Sequence, residues 1–113
     1  METNRQFRND FKNDLLIRLA KRTNELENLP YGLSAMPSIN VISKWYIDSF
    51  TELYNYKDTE SVDGLKVILN KIYERHTNTN NMVSEGIKEL NTNLSSRYNL
   101  GLNVKSLSIS IAL

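Results

Sequence analysis

A chain of 113 residues with 14 Lys+Arg, 13 Asp+Glu, 40% hydrophobic residues and a formal net charge of +1 has the balance of one folded domain, and it buries enough surface to hold a core without staples. The absence of cysteine excludes disulfides, thiolate chemistry and cysteine-ligated metals, and a single histidine excludes a two-histidine metal site within one chain. The near-neutral charge argues against strong bulk attraction to nucleic acid or anionic lipid.

Phe7, Phe11, Leu15, Leu19 and Leu26, flanked by Leu16 and Ala20, recur at three- and four-residue intervals. That spacing predicts an amphipathic helix over residues about 4 to 28. Leu29-Pro30-Tyr31-Gly32 stops it, because proline disfavours helical geometry in the residue before it and glycine accepts a left-handed turn. A second helix starts near Pro37-Ser38, where a first-turn proline loses no hydrogen bond, and its buried face is Ile42, Trp45, Tyr46, Ser49, Phe50 and Leu53. The uncharged run Leu29–Ser43 is punctuated by Pro30, Gly32 and Pro37, so no stretch reads as a membrane span.

Lys57-Asp58-Thr59-Glu60-Ser61 reads as a loop, followed by a third helical stripe of Leu65, Ile68, Leu69, Ile72, Tyr73 and His76. The tract Thr77-Asn78-Thr79-Asn80-Asn81 favours a turn or linker, since short polar side chains compete for backbone hydrogen bonds. Val83, Ile87, Leu90 and Leu94 give a fourth, weaker stripe, in which Gly86 lowers helix propensity by roughly 1 kcal/mol and suits close packing. Leu107, Ile109, Ile111 and Leu113 alternate as a strand would, yet Leu100, Val104, Leu107 and Ile111 fit a helix; a lone strand without a partner favours the helix. The expected fold is all-α, an antiparallel four-helix bundle with an incomplete or irregular last helix.

Phosphoryl transfer needs a phosphate cradle, magnesium ligands and a group that orients the nucleophile. The glycines at 32, 64, 86 and 101 are too dispersed for a phosphate loop. His76 follows Glu74-Arg75 at the end of the third stripe, and two readings stay open for it. It is a helix-terminal imidazolium favoured by the helix dipole, or it converges with Tyr46 and Ser49 on a small carboxylate. Trp45 reads as core.

The blocks Leu15-Leu16-Ile17-Arg18-Leu19-Ala20, Glu25-Leu26-Glu27-Asn28-Leu29-Pro30 and Met36-Pro37-Ser38, continuing to Lys44-Trp45-Tyr46-Ile47-Asp48-Ser49-Phe50, resemble the N-terminal domain of mitochondrial pyruvate dehydrogenase kinases. Ile72-Tyr73-Glu74-Arg75-His76 and Met82-Val83-Ser84-Glu85-Gly86-Ile87 are similar to that family's arginine-histidine segment and following helix. The resemblance runs from about Phe11 to Leu90, and the Trp45-Tyr46 pair favours the pyruvate over the branched-chain kinases. The asparagine-rich composition would suit a fungal member.

The resemblance implies a regulatory four-helix bundle that, in complete members, precedes a histidine-kinase-like ATP-binding domain using ATP and magnesium. That domain is not in this sequence, so no cofactor and no catalytic residue is expected in the chain. The resemblance also implies the mitochondrial matrix, although residues 1–8 do not read as a targeting peptide. Implied partners are the pyruvate dehydrogenase complex, the lipoyl domain of its transacetylase and other kinase protomers; nucleic acid and membrane insertion are not. Carried over by position, the pocket for pyruvate and halogenated acetates comprises Leu19, Tyr46, Ser49 and His76, and Phe11 is a candidate for lipoyl docking. Tyr73 stands where an arginine is usual, and the family's Ser-Arg-Ile-Ser-Ile-Arg pattern appears as Leu107-Ser108-Ile109-Ser110-Ile111-Ala112. The lost guanidinium donors imply weak effector binding. Three readings follow: a fragment of such a kinase, a non-catalytic bundle that competes for its partners, or an unrelated helical interaction module.

Overall fold

The structure, a computed structural model, describes residues 2–57 and 62–94. Four α-helices appear among them: α1 (Glu2–Glu27), α2 (Pro37–Asn55), α3 (Val62–His76) and α4 (Thr79–Leu94), with a 3-10 segment at Pro30–Ala35 between the first two. The all-α fold with four helices is the expected one. The end of the loop at 58–61 and the helix-or-strand question at 104–113, with the altered arginine pattern at 107–112, lie outside the described residues.

Side-chain contacts set the register. Lys12 on α1 meets the backbone of Tyr54 and Tyr56 at the far end of α2, while Ser34, just past α1, donates to the Leu26 carbonyl at 2.8 Å. Along α2 in the other direction, Glu52 bonds Arg75, Ser49 bonds His76 and Ser38 bonds Glu89. Each step back along α2 is thus matched by a step forward through α3 and then α4. The two later helices form one broken rod lying antiparallel to α2, and α2 packs on α1, α3 and α4. Only Thr77 and Asn78 separate them.

That break differs from the expected asparagine-rich linker. α4 already begins at Thr79, so Asn80 and Asn81 lie in its first turn. The Met82 N–H donates to the Asn78 carbonyl, and Thr79 Oγ1 donates to the His76 carbonyl at 2.8 Å. The polar tract interrupts the rod for two residues because its side chains satisfy the freed carbonyls and let the helix restart at once.

α1 stops where Tyr31 and Gly32 adopt left-handed conformations, at φ 63° and 85°. Ser34 Oγ accepts from the Leu29 N–H at 2.6 Å and closes the turn, while Leu33 is buried beneath it. The core is a single cluster that includes Leu19, Leu26, Leu33, Ile39, Ile42, Tyr46, Leu53, Ile72, Val83 and Leu90. Each such aliphatic side chain contributes about 1.5–3 kcal/mol on burial.

Two parts of the anticipated stripes remain exposed. Phe7 and Phe11 are 72% and 44% exposed, because α1 runs on past the end of α2 at its Lys12 contact. Tyr73 is also 72% exposed: Ile72 and His76, four residues apart, take the buried face and leave the intervening tyrosine outside.

α2 lacks a capping side chain of its own, since Met36 occupies the N-cap position. Glu89 of α4 supplies the cap from across the bundle, accepting from the Ser38 N–H at 3.1 Å and from Ser38 Oγ at 2.8 Å. At the other end Lys12 Nζ donates to the Tyr54 carbonyl at 3.3 Å and to that of Tyr56. An anion thus sits at the positive end of α2 and a cation at its negative end. Replacing Glu89 with Ala should lower stability by about 1 kcal/mol, measured as the urea midpoint, and an unchanged midpoint would show that water caps the helix equally well.

Candidate functional site

The residues singled out in the sequence meet where α2 crosses the end of α3. Helical spacing places Tyr46 and Ser49 one turn apart on the buried face of α2, and His76, as the last residue of α3, reaches them before the rod breaks. Ser49 Oγ lies 2.7 Å from His76 Nε2. The Tyr46 and His76 rings meet edge to face, with centroids 4.3 Å apart at 87°. Leu19 belongs to the same core cluster from the α1 side. Ser49 and Leu19 are fully buried, Tyr46 is 1% exposed and His76 9%, so all four residues lie inside the bundle. Two surface grooves, of about 260 Å³ between α1 and α2 and about 430 Å³ between the start of α2 and α4, are lined by other residues.

Two further residues complete the network, and the sequence reading assigned neither of them to it. Arg75 Nη1 donates to Ser49 Oγ at 2.9 Å, and its Nη2 donates to Glu52 Oε1 at 2.6 Å. The available signals were the position of Arg75 beside His76 and of Glu52 one turn beyond Ser49 on α2. Neither spacing says that the two charges face each other.

Ser49 Oγ accepts from Arg75 and shares a second hydrogen bond with His76 Nε2; a serine oxygen has two lone pairs, so the ring tautomer sets which of the two donates. Nδ1 is buried without a hydrogen-bond partner. Burial pushes the His76 pKa down to about 4, the adjacent Arg75 charge adds to this, and the Trp45 carbonyl opposes it more weakly. The ring is therefore neutral at physiological pH, which overturns the helix-terminal imidazolium reading. Burial also raises the Tyr46 hydroxyl pKa, with the Arg22 charge lowering it and Glu25 raising it. Chemically, the cluster offers a neutral imidazole, a serine hydroxyl, a guanidinium at its edge and an apolar wall, the elements that hold a small organic anion.

Among the described residues no group of His, Asp and Glu side chains is placed to hold a metal ion, and no helix is long and apolar enough to cross a membrane.

Residues 4–108 match the family model described as mitochondrial branched-chain alpha-ketoacid dehydrogenase kinase. The chain belongs to this kinase family. Its relatives include the Arabidopsis thaliana pyruvate dehydrogenase (acetyl-transferring) kinase, 31% identical over 86 residues, which are 74% of this chain and 24% of the relative. The probable pyruvate dehydrogenase kinase of Caenorhabditis elegans is 36% identical over 87 residues, 70% of this chain and 21% of the relative. The human pyruvate dehydrogenase kinase isozyme 3 is 30% identical over 83 residues, 69% of this chain and 20% of that protein. No solved structure matches the chain.

The kinase-family bundle thus spans about a quarter or less of the length of these curated relatives. It corresponds to the N-terminal regulatory domain of the pyruvate dehydrogenase kinases, as the Trp45-Tyr46 pair and the blocks around it implied. These relatives are named mitochondrial, and the setting of this kinase-family chain is the mitochondrial matrix.

Proposed function

We propose that this chain is the regulatory bundle of a protein-serine kinase that phosphorylates and thereby inactivates the pyruvate dehydrogenase complex. In this reading Leu19, Tyr46, Ser49 and His76 form the site at which a small organic acid reports metabolic state to the kinase. ATP and magnesium act in the rest of the full-length enzyme, and the bundle supplies control. The observation that carries the reading is the buried, neutral His76, whose Nδ1 makes no hydrogen bond of good geometry, beside Ser49 and Arg75. A buried polar group left unpaired costs about 1–3 kcal/mol, which a ligand that pairs it would recover.

Titration with dichloroacetate, followed by the NMR signals of the His76 and Tyr46 rings, tests this. The expected result is saturable binding at about 1 mM or weaker, because the usual arginines are missing, with a correspondingly small rise in melting temperature. His76→Ala should abolish it. Ring signals that do not move, or movement that persists in His76→Ala, would remove the acid site from the reading.

A second reading is a non-catalytic module that binds the kinase partner or the transacetylase lipoyl domain. It is favoured by the exposed Phe7 and Phe11 with Ile17 on α1, where Phe11 is the candidate docking residue. Lipoyl-domain binding that is lost in Phe11→Ala and indifferent to dichloroacetate would favour it over the first.

A further inference from the structure

Glu52 and Arg75 stand between the buried cluster and solvent. The Arg75 side chain keeps 21% of its exposure and the Glu52 side chain 36%, whereas Ser49 behind them is sealed. The guanidinium is already engaged on two sides, by Ser49 Oγ at 2.9 Å and by Glu52 Oε1 at 2.6 Å. A carboxylate approaching Ser49 and the His76 ring from this side would need the same guanidinium edge, since planar bidentate pairing is how arginine holds a carboxylate. It would also meet the negative charge of Glu52. The other Glu52 oxygen, Oε2, is buried without a hydrogen-bond partner, so the carboxylate is tied to the network through one oxygen only.

We propose that Glu52 is an internal anion that occupies Arg75 and shuts the Ser49–His76 cluster, so that a small organic acid enters only by taking the place of Glu52 on the guanidinium. This rests on the small-acid reading above and adds its regulation. Affinity is set by the exchange of one carboxylate for another, and any event that draws Glu52 away from α3 opens the site.

The exchange predicts that removing the Glu52 charge tightens acid binding. The test uses the 113-residue chain with dichloroacetate as probe and the His76 and Tyr46 ring signals as readout. Glu52→Gln keeps the shape of a partly exposed side chain, and Glu52→Ala serves as a second variant should the amide disturb folding, with circular dichroism melts checking both. Either variant should bind dichloroacetate roughly tenfold more tightly than the wild type. The gain should vanish in Glu52→Gln combined with Arg75→Gln, and the uncharged dichloroacetamide should gain nothing from Glu52→Gln. If the wild type binds in a His76-dependent manner and Glu52→Gln binds no more tightly, the exchange is overturned and the acid site stands. Binding that His76→Ala leaves unchanged overturns both.

Discussion

Lowering the pH from 7 to 5 is expected to remove about 2 kcal/mol of stability through His76 alone. In the unfolded chain this histidine takes up a proton near its ordinary pKa of 6.5, whereas the folded protein resists until about 4. Between those values the unfolded state holds the extra proton, so acid favours unfolding. The contribution of the neutral ring is complete above about pH 6.5, falls at about 1.4 kcal/mol per pH unit below it, and levels off under pH 4. The chain has one histidine and no cysteine, and the histidine side chain is the one whose ordinary pKa falls in this interval. Urea unfolding at pH 7, 6 and 5 measures it, with His76→Gln as the comparison. The substituted chain should be less stable at pH 7 yet nearly flat over the interval. A wild-type profile equally flat would mean that the folded protein protonates His76 readily, and that the ring is not enclosed as its burial indicates.

Gly86 is the second place where a single atom should matter. A methyl group placed there would lie 2.7 Å from Cγ1 and 2.8 Å from Cδ1 of Ile39, well inside contact distance. Ile39 is fully buried and has no solvent to retreat into. Gly86→Ala gains about 1 kcal/mol of helix propensity, but overpacking in a tight core costs about 1–3 kcal/mol. A net loss of up to about 2 kcal/mol is expected, and Gly86→Leu should exceed 3 kcal/mol by roughly the same reasoning. The decisive measurement is a double-mutant cycle with Ile39→Ala. If the contact between α2 and α4 is the cause, Gly86→Ala should become neutral or stabilising once the isoleucine is cut back. Equal losses in both backgrounds would place the cause in the backbone of α4.

Much of the chain was legible because its signals are local. Pro30 and Gly32 stop α1, Pro37 opens α2, and the stripes of Ile42, Tyr46 and Leu53, then Leu65 and Ile72, then Val83 and Leu90 mark the buried faces. Backbone sterics and helical spacing act within a few residues, so they can be read in order along the chain. The convergence of Tyr46, Ser49 and His76 was reached by family resemblance and by assuming that the helices pack in sequence order. Tyr73 was misplaced because a stripe that alternates three- and four-residue steps leaves the edge of a buried face undefined until a neighbour covers it. The asparagine tract was misjudged because its side chains could cap a restarting helix as readily as fill a loop.

The sequence by itself determined that this is an all-α bundle, where α1 ends and α2 begins, and which kinase family it belongs to, since each of these rests on residue identity at short spacing. Only the tertiary structure decided that Glu89 caps α2, that Arg75 is shared between Ser49 and Glu52, and that His76 is enclosed and neutral. Those contacts join residues 51, 26, 23 and 27 positions apart. Their existence depends on which way two helices turn toward each other, and charge, desolvation and hydrogen bonding then act across a distance that no local pattern encodes.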